Sequence, residues 1–165
     1  MRRVILVALS AALLACGGNG APTAPSVPNV LGTYGGASAW NWSFLWGYVF
    51  GLPNWSSASC PGSISITNQS DSNFSGSFVI EVGGDCIAGF SGTVSGTISA
   101  DRDVNFDAAV PGRGHLIEFL LHNCVYASGD TQLKGWLSAD GLRLQASANA
   151  TGDPQDCSLR FSGTR

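Results

Sequence analysis

Residues 133–148, LKGWLSADGLRLQASA, decide the fold. Leu133, Gly135 and Leu137 lead into an Asp140-Gly141 pair, Leu142, Leu144, Ala146 and Ala148 lead out, and bulkier or polar residues alternate with them. A period of two puts one side of a strand in the core and the other in water, and Asp-Gly tolerates the positive φ angles of a tight hairpin turn. Pairing outward from that turn predicts an inner face with Ala139 opposite Leu142, Leu137 opposite Leu144, Gly135 opposite Ala146 and Leu133 opposite Ala148. The outer face then pairs Ser138 with Arg143, Trp136 with Gln145 and Lys134 with Ser147. Trp136 is placed on the solvent side, the first candidate for a surface contact.

The same period runs through much of the chain. Phe74, Gly76, Phe78, Ile80 and Val82 alternate with Ser75, Ser77, Val79 and Glu81. Phe90, Gly92, Val94, Gly96 and Ile98 alternate with serines and threonines, and Val104, Phe106, Ala108 and Val110 with Asp103, Asn105 and Asp107. Turn signals at 68–72, 83–85 and 100–102 separate these runs, as an antiparallel meander requires. About eight to ten strands result, enough for a sheet to close on itself and remove its edges. The glycines between Phe and Val suit a small barrel, where large and small side chains must alternate. The expected fold is an all-β, antiparallel up-and-down β-barrel, with a β-sandwich as the alternative.

Composition narrows the function classes. The 165 residues are 44% hydrophobic and 12% charged with a net charge of −3, which argues against a disordered chain and against a nucleic-acid partner. Arg2 and Arg3, the apolar stretch Val4 to Leu14 and Ala15-Cys16 have the layout of a signal peptide, too short to stay as a membrane span. Leu13-Leu14-Ala15-Cys16 resembles the bacterial lipobox. That resemblance implies lipidation of Cys16, a membrane partner through the lipid, and residence in the cell envelope. Gly17, where some lipoproteins carry an inner-membrane retention aspartate, favours the outer membrane. The organisation expected is a signal peptide over 1–15, a lipidated cysteine and Pro-rich tether over 16–29, and a barrel domain over 30–165.

With Cys16 assigned to lipid, Cys60, Cys86, Cys124 and Cys157 form an even set in an oxidising compartment. Cys60 with Cys86 and Cys124 with Cys157 is the favoured connectivity, because adjacent antiparallel strands bring sequence neighbours together. The close cysteine spacing of a zinc site is absent.

Trp40, Trp42, Phe44, Trp46, Tyr48 and Phe50 occupy successive even positions. An extended segment would show one aromatic face, bent near Gly47, available to an apolar or aromatic ligand or to a partner; alternatively the rings fill the core or form a short helix. Gly32-Thr33-Tyr34 is similar to the Gly-x-Trp opening of lipocalin-like (calycin) barrels. By that resemblance Arg160 or Arg165 would pack across the barrel's closed end.

Catalytic and metal signals are weak. His115, Glu118 and His122 lie in an apolar run that reads as a buried strand or short helix. Asp101, Asp103, Asn105 and Asp107 lack the glycine and bidentate glutamate of a calcium loop. No cofactor and no metal are expected. The function expected is non-enzymatic binding of a small apolar or aromatic ligand by a lipid-anchored envelope protein; the alternatives are a protein-interaction or inhibitor module and, third, a hydrolase using His115 or His122.

Overall fold

A computed structural model describes residues 26–50, 52–120, 132–150 and 157–165, with the backbone alone at 44–49, 52–55 and 149–150. The elements are β1 (Gly32–Val49), β2 (Leu52–Ser70), β3 (Asn73–Ile80), β4 (Phe90–Ile98), β5 (Asp103–Val110), β6 (Gly114–His115), α1 (Leu116–Leu120), β7 (Leu133–Leu137), β8 (Arg143–Ala150) and β9 (Cys157–Thr164). Eight of the strands form a ring in chain order, and β1 pairs with β9 to close it. Every neighbour is antiparallel, and β6 is a short addition to the end of β5. The closed ladder replaces the sandwich alternative with a barrel, consistent with the lipocalin-like resemblance.

The hairpin at 133–148 has the register the alternation predicts, with Leu137 opposite Leu144, Trp136 opposite Gln145, Gly135 opposite Ala146 and Lys134 opposite Ser147. The turn itself differs. The Ser138 carbonyl accepts from the Gly141 N–H, and only Gly141, at φ 72°, is left-handed, so Ala139 and Asp140 are the central pair. A four-residue loop and a two-residue loop leave the same register, which is why the pairing survives the change of turn. Ala139 and Leu142 belong to this loop and are exposed, not on the inner face. Val82, expected inside, lies beyond the end of β3 and is also exposed.

An eight-stranded barrel is just wide enough for side chains to fill. Trp40, Tyr34, Phe78, Phe106 and Phe161 are its largest fully buried residues. Trp40 meets Phe78 edge-on with ring centres 5.7 Å apart and Phe161 at 4.7 Å, and its indole N–H donates to the Val79 carbonyl. Burying each phenylalanine contributes about 1.5–3 kcal/mol, so this ring cluster carries much of the fold's stability. Glycines make the room: a Cβ at Gly92 would stand 2.7 Å from Phe78 Cε1, and one at Gly163 2.6 Å from Phe161 Cζ.

Both ends are occupied. At the end where the domain begins, the Tyr34 hydroxyl donates to the Val30 carbonyl, and the Arg165 guanidinium lies 5.7 Å from the Tyr34 ring centre and donates to the Leu31 carbonyl. The closed-end arginine is therefore Arg165. Arg160 is exposed on the wall. Gln69 receives the Val30 N–H and donates to the Pro28 carbonyl. At the other end, α1 inserts Leu116 and Ile117 into the core, and Phe119 packs edge-on against Phe90. Among the described residues, the apolar run around Glu118 is helical over Leu116–Leu120. The Cys60–Cys86 disulfide ties the connection between β3 and β4 to β2 at this end.

Candidate functional site

The outer wall across β7, β8, β9 and β1 carries the candidate site. Register sets two rows of side chains on it. One runs Lys134, Ser147, Arg160 and Asn41; the other runs Trp136, Gln145 and Ser162. These residues line a depression of about 580 Å³. Trp136 is 44% exposed, in contrast to Trp40, which is wholly buried. Gln145 Nε2 donates to Ser162 Oγ and Asn41 Nδ2 donates to the Ser38 carbonyl, which fixes both amides and leaves their carbonyl oxygens as acceptors. Among the described residues Arg160 makes no ion pair.

The other aromatic candidates are dispersed. Trp40 is core, and Trp42 is half-buried and packed against the core. Phe50 sits at positive φ, fully exposed. The side chains of Phe44, Trp46 and Tyr48 lie outside the described residues. Of two irregularities in β1, the one between Gly36 and Trp40 precedes the aromatic run and the second, between Leu45 and Gly47, interrupts the regular pairing within it. The second falls at the bend expected near Gly47. Beyond Ser43, β1 pairs only with β2 among the described residues, so the two continue as a ribbon past the barrel wall.

Cys60 and Cys86 are joined as expected. Cys157 is also disulfide-bonded, and its partner lies outside the described residues, as do Cys124, the pairing expected for it, the signal peptide and Cys16. His115 Nδ1 and Asp107 Oδ1 are 2.7 Å apart on the outside of the barrel. That hydrogen bond raises the imidazole pKa above its ordinary value, burial opposes it, and the charges of Asp107 and Glu118 add to the rise. His122 lies outside the described residues. Among those described, no three His, Cys, Asp or Glu residues converge as metal ligands.

The sequence singled out Trp136 and its opposite Gln145 but missed Arg160 and Asn41 as their neighbours. The hairpin gave the β7–β8 register; nothing local gives that of β9 on β8 or of β1 on β9. The chain matches no family model, and searches of curated proteins and of solved structures return no significant match.

Proposed function

We propose that this is a lipid-anchored protein of the bacterial envelope whose barrel is a rigid scaffold making its contacts through the outer wall. One observation carries the reading. Among the described residues, inward side chains from each of the eight barrel strands, from Tyr34 and Ile64 to Leu144 and Phe161, are closed to water, and they occupy space that an internal ligand needs. This favours the contact-module alternative over the expected carrier of a small apolar ligand. The polarity of the wall favours an aqueous setting: Ser75, Ser77, Ser91, Thr93 and Ser95 face outward, the reverse of a barrel that spans lipid. The lipobox supports the anchor, and the exposed Trp136 supports the wall as the contact surface.

Two measurements test the proposal. Mass spectrometry of the protein expressed in a bacterial host is expected to find a diacylglyceryl group on Cys16; an unmodified cysteine sinks the anchor. Titration with apolar ligands, followed by tryptophan fluorescence, is expected to give no saturable response, and a saturable one that perturbs the interior restores the carrier reading.

A further inference from the structure

We infer that the depression beside Trp136 binds an acidic saccharide, a proposal that rests on the reading of the outer wall as the contact surface. The argument starts from what the lining offers. An exposed indole gives a flat apolar face of the kind that packs on the C–H face of a pyranose ring. Around it stand acceptors and donors together: the fixed amide oxygens of Gln145 and Asn41, the hydroxyl of Ser147 and the guanidinium of Arg160. A bare anion has no use for the acceptors, and a hydrocarbon has no use for either. A ligand with many hydroxyl groups satisfies both.

The charge of the lining selects among saccharides. Among the described residues that line it, Arg160 is a cation without an ion pair and none is a carboxylate; Asp103, opposite Trp136, belongs to β5 on the other side of β7. A planar guanidinium matches a carboxylate in two parallel hydrogen bonds, so a sugar acid is preferred to its neutral counterpart. The spacing also fits. Strand separation and rise place Arg160 about 10 Å across and about 7 Å along the wall from Trp136, a span covered by two or three linked pyranose rings. The amides are held by hydrogen bonds within the protein, so binding does not have to order them.

The test uses the full processed protein in a zwitterionic detergent, with trigalacturonate as the acidic probe and maltotriose as the neutral one. The Trp136 indole N–H resonance is identified by its loss in Trp136→Phe. Trigalacturonate is expected to shift it saturably, with Trp136→Ala weakening affinity at least tenfold. Arg160→Gln is expected to weaken it about fivefold and to abolish the preference over maltotriose. Gln145→Ala, expected to cost about threefold, provides a second probe should Trp136→Ala lose the fold by circular dichroism. The proposal is overturned by an unmoved Trp136 resonance, by affinity indifferent to Trp136 and Gln145, or by equal binding of maltotriose. Crosslinking of an envelope protein at Trp136 without saccharide binding overturns the saccharide and keeps the outer wall as contact surface. A saturable apolar ligand in the interior, with Trp136 unmoved, overturns both.

Discussion

Arg165 covers the ring of Tyr34, its guanidinium carbon 5.7 Å from the ring centre, and its Nη1 donates to the Leu31 carbonyl. Cation, ring and carbonyl together seal one end of the barrel. Arg165→Ala removes an interaction of each kind and is expected to cost about 1–2 kcal/mol, seen as a lower urea midpoint. Arg160→Ala, on the exposed wall, is expected to change stability by less than about 0.5 kcal/mol. Equal losses in the two variants would show that the closing role has been given to the wrong arginine.

The interior glycines make a second prediction. A Cβ at Gly92 would stand 1.9 Å from the Ala109 carbonyl oxygen as well as against Phe78, whereas one at Gly36 meets nothing within 4 Å. Gly92→Ala is therefore expected to destabilise by about 1–3 kcal/mol through overpacking. Gly36→Ala is expected to be neutral or slightly stabilising, since it narrows the unfolded ensemble without a clash. Parallel denaturation curves of the two variants check the contrast.

The contrast also marks what the sequence makes legible. Alternation of Phe and Gly is a local pattern, so the inward faces of β3, β4 and β5 could be read directly. Trp136 could be placed on the wall because the loop enclosed by the Ser138–Arg143 pair has an even number of residues under either turn. The aromatic run from Trp40 to Phe50 could not be read the same way. An extra residue in one strand reverses which side chains share a face, and such irregularities depend on the partner strand. Trp40 sits in the barrel wall and is buried, whereas Phe50 lies past the end of β1 and is exposed, although both are at even positions. The candidate site was legible only as far as one hairpin reaches: Trp136 meets Gln145 within it, but Arg160 and Asn41 arrive from β9 and β1, whose register is set by barrel closure.

The Cys60–Cys86 bridge spans a sequence separation of 26 and fixes the connection between β3 and β4 against β2, where Asp85 also accepts the Ser59 N–H. Opening a loop of that length costs about 3.5 kcal/mol in the chain-entropy account. The double variant Cys60→Ala/Cys86→Ala is expected to lose stability of that order while keeping its far-UV circular dichroism. A non-reducing peptide map is expected to recover Cys60 linked to Cys86 and Cys157 in a separate linked peptide. A map joining Cys60 to Cys157 would contradict the arrangement.

His115 and Asp107 give a pH dependence whose sign follows from their contact. The hydrogen bond to Asp107 stabilises the protonated imidazole, so the folded-state pKa lies above the unfolded value of about 6.5. The resulting stabilisation is fully present below that unfolded value and is lost as pH rises through the folded one. The His115 side chain is 40% exposed, and solvent screening keeps the energy small. An NMR titration of the imidazole is the sensitive measurement. It is expected to show a midpoint above the ordinary histidine value in the native protein, shifted downward in Asp107→Asn. The urea midpoint of the native protein should fall slightly as pH rises above about 6.5, with the slope reduced in the variant. A His115 midpoint at or below the ordinary value, or one indifferent to Asp107, would show that the pair does not share a proton in solution.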